Sequence, residues 1–436
     1  MKDNVFTFKK GSYLYLEEDG NTNNIFIVKQ GAVQFVYKNH RFKNIAKIAG
    51  PGDILGFVSS FCDKPRMESA LAVEDSSVIV LTKSHFMDKL GRSPDMTLRV
   101  LRYFAQQLRE YDELITFGNS QENRSIPSKM LQAGSFYYKI GNINTAYYIL
   151  SRLISYYRLD PAAESARVLL SKMTKSVDRK SLTASMHEGV YKVFTDKQVI
   201  FCENEPGKEL FIIKKGRVKI VKQGADSEII LSVLGNGEIF GELAIVSNKP
   251  RNATAISIGQ TTLLPINVST VTKLMEKSPS IINRIFAAIS SRVWFTHIRF
   301  DILTYNHLIT KMYSFLKNKL LEEIVSLQNT SPHSFYFGID ELQKMVGHLD
   351  GDGSAANEMF NDSNLRFQLG SITVLSPKVL AATANYYATR DNMNTKNDDS
   401  NDRFIFDDEG DVKKNDDIIL KTSSVISEME DFDFPD

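Results

Sequence analysis

The chain repeats itself, and this restricts its possible folds more than any other feature. The stretch IFIVKQGAVQFV from Ile25 matches LFIIKKGRVKIV from Leu210, 185 positions later. The same displacement lays GPGDILGFVSSFCDKPRMESA, from Gly50, on GNGEIFGELAIVSNKPRNATA, from Gly235, and still pairs Pro94 with Pro279. A displacement that holds ungapped over this length means one domain present twice. Within each copy, short apolar runs (25–28 and 210–213) close on a glycine, Gly31 or Gly216, and the following positions alternate. Many short strands with glycines at the corners predict a small barrel or jelly roll. Each copy then passes into an apolar pattern with steps of three and four. Leu101, Phe104, Leu108, Tyr111 and Ile115 carry it in the first copy, and Phe286, Ile289, Val293, Thr296, Phe300 and Leu303 in the second. That period predicts a long helix whose seam packs on a partner helix or on its own barrel.

A chain of 436 residues is too long for one ordinary core. Its composition is that of a soluble globular protein. No apolar run approaches the ~20 residues of a membrane span, and MKDNVFTFKK has no secretory apolar region. Cys62 and Cys202 stand far apart with no metal-ligand spacing around them, so a reducing, cytoplasmic setting and no metal are expected. The seven histidines are scattered, and no nucleophile–base spacing appears, so the chain reads as a non-enzyme. Charge is segregated: residues 340–436 hold 21 Asp/Glu against 9 Lys/Arg, whereas the rest carries an excess of basic groups. That acidity weighs against contact between the C-terminal region and a phosphate backbone.

Between the copies, residues 137–161 (YYKIGNINTAYYILSRLISYYRLDP) resemble one tetratricopeptide repeat. By that resemblance Gly141 and Ala146 fall where two antiparallel helices approach, and Pro161 where the second stops. One repeat cannot bury its own face, so it should cap a neighbouring helix as a spacer.

The chemistry lies in residues 240–254, F-G-E-L-A-x5-P-R-N-A-T. At this spacing the segment resembles the phosphate-binding cassette of cyclic-nucleotide-binding domains, as in the regulatory subunit of protein kinase A and the catabolite-activator-like (Crp/Fnr) regulators. The resemblance covers about 190–303 and, more weakly, the first copy. It implies a cyclic nucleotide as ligand, cAMP by family frequency or cGMP. The residue types suit the task. Arg251 can meet the phosphate with two parallel N–H bonds. Gly241 allows close backbone approach, and the amides near Leu243 and Ala244 can add donors to the anion. Glu242 can accept from the ribose 2′-hydroxyl, and the small Ala253 lets the loop close over the ring. A plain surface ion pair of Glu242 with Arg251, worth ~0–1 kcal/mol, is the bland alternative. Asn252 stands where cGMP-selective relatives carry a hydroxyl; its amide reaches guanine or points to solvent. The base should meet the C-terminal helix, where Ser290, Ser291 and Trp294 are the candidates. Trp294 stacks on the purine or packs in the seam.

In the first copy Phe57 replaces the ribose carboxylate and Glu68 replaces the small alanine, while Arg66 is kept. A carboxylate beside a cyclic phosphate at ~4 Å costs about 1 to 4 kcal/mol. An Arg66–Glu68 pairing would fill the site, and this copy is expected to bind no nucleotide.

After the second seam, residues 337–347 (FGIDELQKMVG) resemble the first helix and turn of the winged helix-turn-helix of catabolite-activator-like regulators, and residues 370–380 resemble its wing. The stretch between Gly347 and Leu365 offers Asp350, Asp352, Glu358 and Asp362 and no Lys or Arg, which opposes major-groove docking. The output is then DNA or a protein contact. The tail from Asp391 is too poor in apolar residues for a core and reads as disordered, with a hairpin around Arg403–Phe406 as an open alternative. The expected architecture is an α+β multidomain chain with two jelly-roll barrels carrying long C-terminal helices, a helical repeat-like linker and a winged-helix-like C-terminal domain. Its divisions are 1–120, the degenerate copy; 121–185, the linker; 186–305, the binding copy; 306–390, the winged module; and 391–436, the acidic tail. The seams predict either a homodimer or an internal pseudo-dimer.

Overall fold

The computed structural model describes residues 4–38, 47–92, 94–117, 124–178, 182–187, 190–224, 227–247, 249–267, 279–347 and 353–398. The fold is mixed α/β, its sheets antiparallel, and it divides into two compact units that do not follow chain order. The first comprises Met1–Arg99, Pro279–Asn306 and Tyr386–Asp436; the second comprises Val100–Ser278 and His307–Asn385.

The first copy builds β1 (Asn4–Phe8), β2 (Tyr13–Tyr15), β3 (Asn24–Gln30), β4 (Val33–Val36), β5 (Ile48–Ala49), β6 (Ile54–Leu55), helix α1 (Phe57–Cys62), β7 (Ser69–Ala72), β8 (Ser76–Thr82), α2 (Lys83–Arg92) and α3 (Pro94–Phe117). The strands form two sheets, β1-β8-β3-β6 and β2-β7-β4-β5. Phe26, Val28, Leu55 and Val78 of one sheet meet Tyr15, Val33, Phe35 and Ala70 of the other in one apolar core. Gly31, at φ +92°, separates β3 from β4, and a side chain there would run into Ser76. Of the expected barrel or jelly roll, the barrel is not closed among the described residues: the strands make two sheets that share one core rather than one hydrogen-bonded ring.

The linker forms α4 (Ile126–Lys139), α5 (Ile143–Tyr156) and α6 (Pro161–Met173). Ser125, Asn142 and Asp160 cap the three N-termini through their side-chain oxygens. The close approach of α4 and α5 falls at Gly134, where an added Cβ would lie 2.5 Å from Leu150, and not at Gly141, which turns the chain at φ +79°. Pro161 opens α6 instead of closing α5. It stands at the first helical position, where its missing N–H leaves nothing unpaired.

The second copy forms β9 (Ser185–His187), β10 (Tyr191–Phe194), β11 (Val199–Phe201), β12 (Glu209–Gln223), β13 (Glu228–Leu234), β14 (Ile239–Phe240), α7 (Glu242–Ser247), β15 (Thr254–Asn267) and α8 (Pro279–Leu303). Here the strands join in one seven-stranded sheet, β13-β12-β15-β10-β9, with β11 on β15 and β14 on β12. Gly216, at φ +93°, lies at the register shift of the long β12 and corresponds to the β3–β4 corner. The core gathers Phe194, Phe201, Phe211, Ile213, Val218, Phe240 and Leu263.

The C-terminal part runs α9 (Leu308–Glu322), β16 (His333–Phe335), α10 (Ile339–Met345), α11 (Ser354–Phe360), β17 (Leu365–Gln368), β18 (Ser371–Val374) and α12 (Pro377–Asp398), with sheet order β16-β18-β17. Arg217 of β12 donates to the Tyr336 carbonyl at 2.8 Å and lies 5.0 Å over its ring, tying this part to the second sheet. No helix among the described residues is long and apolar enough to cross a membrane. Asp350, Asp352 and the expected tail hairpin lie outside the described residues.

The division into units follows the seam helices. α8 follows the second sheet in sequence, yet it belongs to the first unit, against α1. From Val100 onward α3 belongs to the second unit.

Candidate ligand-binding cassette

The cassette of the second copy begins where β14 ends. Gly241 takes φ +78°, and a Cβ there would sit 2.7 Å from Arg251 Nη1, so only glycine fits without moving the arginine. Arg251 is buried. Its Nη1 donates to the Gly241 carbonyl and its Nη2 to the Glu209 carbonyl, each at 2.7 Å, and the guanidinium lies 4.1 Å over the Phe201 ring. Its main chain is clamped as well: Arg251 N–H donates to Glu205 O, and Asn204 N–H to Arg251 O. The buried Nε has no hydrogen-bond partner. Burial lowers the Arg251 pKa, against the raising influence of Glu205, Glu242 and Glu209. The groups it bonds are neutral carbonyls, so the guanidinium, though offset by those carboxylates, keeps N–H donors that a bound anion can take over.

Glu242 opens α7 and is 2% exposed, with Leu243 and Ala244 buried behind it and Ala253 buried across the loop. Gly241, Glu242, Leu243, Ala244, Arg251, Asn252 and Ala253 thus belong to one cassette in the second unit. Ser290, Ser291 and Trp294 fall in the other unit. Their helix, α8, belongs to the first unit. There the Trp294 Nε1–H donates to the Pro65 carbonyl at 2.8 Å, and Ser290 is fully buried. The physical reason is the apolar docking of α8 on α1, where Phe61 and Phe286 stack with ring centroids 5.1 Å apart.

A different helix borders the second cassette. Arg109 of α3 donates through Nη2 to Pro250 O at 2.8 Å and through Nη1 to Asn252 Oδ1 at 3.4 Å. Asn252 Nδ2 donates to Asp112 Oδ2 at 2.6 Å, and Lys249 Nζ to Gln106 Oε1 at 2.8 Å. Both ends of the Asn252 amide are therefore engaged by α3 and do not point to solvent. Sequence reasoning missed Gln106, Arg109 and Asp112. The signal was the seam itself, because Arg109 stands 185 positions before Trp294.

The first cassette keeps the arginine's posture and fills the remaining space. Arg66 donates to the Gly56 carbonyl and, through Nη2, to Asn24 O at 2.7 Å, and lies 4.6 Å over the Tyr15 ring. The expected Arg66–Glu68 pairing is not what holds the carboxylate: Glu68 accepts from Tyr15 Oη at 2.8 Å, while Nη1 and Nη2 of Arg66 donate to carbonyls. Burial pushes the Glu68 pKa up. Phe57, in the place of Glu242, is buried.

The cyclic nucleotide-binding domain family model matches the chain twice, over residues 5–93 and 191–278, once in each copy of the repeat. The chain is similar to the cyclic AMP receptor protein of Thermus thermophilus, 23% identical over 128 residues, covering 29% of this chain and 59% of that one. It is also similar to the CRP-like cAMP-activated global transcriptional regulator of Mycobacterium tuberculosis, 27% identical over 146 residues, covering 33% and 57%. The matches thus span less than two thirds of either relative. Among solved structures, the c-di-GMP responsive global regulator CLP of Xanthomonas campestris aligns at 20% identity and a TM-score of 0.34, over 42% of this chain and 92% of that one.

Proposed function

We propose that this chain is a cytoplasmic, non-enzymatic receptor for a purine cyclic mononucleotide, cAMP before cGMP, with one working site formed by Gly241, Glu242, Leu243, Ala244, Arg251, Asn252 and Ala253. The observation that carries the reading is Arg251: a buried cation pinned by neutral carbonyls in a loop of the family's spacing. In this reading the cyclic phosphate meets the guanidinium, which can rotate off the Gly241 carbonyl toward a charged acceptor. Glu242 accepts from the ribose hydroxyl, and its carboxylate separates a ribonucleotide from inorganic phosphate. No metal takes part. The similarity to cAMP-activated regulators supports cAMP. Calorimetry on the full chain tests it. We expect saturable heat with cAMP and weaker binding of cGMP, and Arg251→Ala should cost about 3 kcal/mol, roughly a hundredfold in affinity. Equal heats for wild type and Arg251→Ala would sink the proposal.

The output runs through the C-terminal part, whose order β16-α10-α11-β17-β18 suits a winged helix-turn-helix. A second reading, a protein contact in place of DNA, is favoured by α11 itself: SAANEMF has no Lys or Arg, and Glu358 and Phe360 are exposed.

A further inference from the structure

The two cassettes receive the same contact, crosswise, from chemically opposite helices. Arg109 and Trp294 are repeat-equivalent, 185 positions apart, and so are Pro250 and Pro65. Arg109, on the first copy's helix, donates to the carbonyl of Pro250 in the second cassette at 2.8 Å. Trp294, on the second copy's helix, donates to the carbonyl of Pro65 in the first, also at 2.8 Å.

Around Arg109 the contact is polar: Asn252 with Asp112, and Lys249 with Gln106. A ligand that draws on the charge of this loop changes the balance of each of those bonds. Around Trp294 it is apolar. Phe61 stacks on Phe286, Trp294 meets Phe295 edge to face at 5.1 Å, and Lys64 lies 5.8 Å over the indole. His297, the equivalent of Asp112, is fully packed beside Tyr37 at 5.9 Å between rings. The cassette beneath is already filled, by the Tyr15–Glu68 bond and by Phe57 in place of the ribose carboxylate. A ligand shifts only those elements whose contacts it changes, and none of these contacts involves a group that a nucleotide would engage.

We infer that the first copy is a ligand-independent lock, in which Trp294 and the Phe61–Phe286 stack hold α8 permanently on a self-filled cassette, so that the chain is a one-ligand switch whose responsive helix is α3. The inference rests on the reading of the second cassette as the ligand site.

Hydrogen exchange on the full chain, read by mass spectrometry, tests it in two arms. In the first, saturating cAMP should slow exchange over 102–112 and 240–254 and leave 57–66 and 286–297 unchanged. The emission of Trp294, the single tryptophan, should likewise not move. A ligand-dependent change at 286–297, or in that emission, tracking the calorimetric isotherm would overturn the lock. The second arm uses no ligand. Trp294→Ala should speed exchange over 57–66 by at least about tenfold while 240–254 keeps its rates. Trp294→Phe, which keeps most of the ring and loses the N–H, should show a smaller change in the same segment. Unaltered exchange over 57–66 in both variants would overturn the proposal. Absence of nucleotide heat would refute the receptor reading alone, because the ligand-free arm still decides the lock.

Discussion

Two arginines, Arg66 and Arg251, adopt one posture in the two copies, each bonded to the carbonyl of its cassette glycine and laid over an aromatic ring. The two copies differ in the company these arginines keep. Glu68 places a buried carboxyl where the second copy has Ala253. Its pKa is raised by burial, so the folded state favours the proton. The stabilisation from that proton is complete below the ordinary carboxyl range and is lost as pH rises through the folded-state value. Glu68→Gln stays neutral at every pH and retains an oxygen for the Tyr15 hydroxyl. The variant should therefore gain on the order of 1 kcal/mol at neutral pH and lose the wild type's decline toward alkaline pH. Thermal melts across the carboxyl range and up to neutrality check this; a variant less stable than wild type at neutral pH would contradict it. His297 acts in the opposite sense: burial pushes its pKa down to about 3, so its contribution is lost on acidification.

At the scale of the element, α3 is the surprise. It begins in the first unit, and from Val100 it belongs to the second, where Arg109 and Asp112 hold the Asn252 amide between a donor and an acceptor. The bond from Asn252 to the Asp112 carboxylate is short, at 2.6 Å, and half-buried. Asp112→Ala should destabilise the ligand-free chain by about 1–2 kcal/mol, or a few degrees in Tm, and change nucleotide affinity without abolishing it. Scanning calorimetry with and without cAMP measures both. Identical melts and isotherms would remove α3 from the site. The linker helices support the same loop from behind: Arg152 lies 3.7 Å from Glu205 and 5.0 Å over Tyr148, and the Glu205 carbonyl receives the Arg251 N–H.

For the whole molecule the open branch is the output. Arg217 fastens the C-terminal part to the second sheet, and the acidic character of that part opposes a phosphate backbone. We expect DNA retention of the cAMP-loaded chain to be weak and to lack the steep salt dependence of a protein making several phosphate contacts, in which affinity falls by about 10³ or more between ~50 and ~200 mM salt. A gel-shift titration across that range checks it, and a steep salt slope would restore DNA as the target.

The repeat, the strand-rich copies, their long helices, the glycine corners and the spacing of the candidate cassette were all written in the sequence by itself. Each depends on local spacing, and spacing survives in one dimension: Gly31 and Gly216, Arg66 and Arg251, and Phe57 in the register of Glu242 could be read directly. Which cassette each seam helix would close could not. An apolar step of three and four says that a face will be buried, not against what, and the seams around Leu108 and Val293 look alike in that respect. The choice was made by three-dimensional fit, through the ring stack of Phe61 with Phe286 and the polar match of Arg109 and Asp112 to Asn252. For the same reason the choice between barrel and jelly roll stayed open in the sequence. Strand propensity is local, whereas ring closure depends on how far β12 and β15 bend and which edges meet.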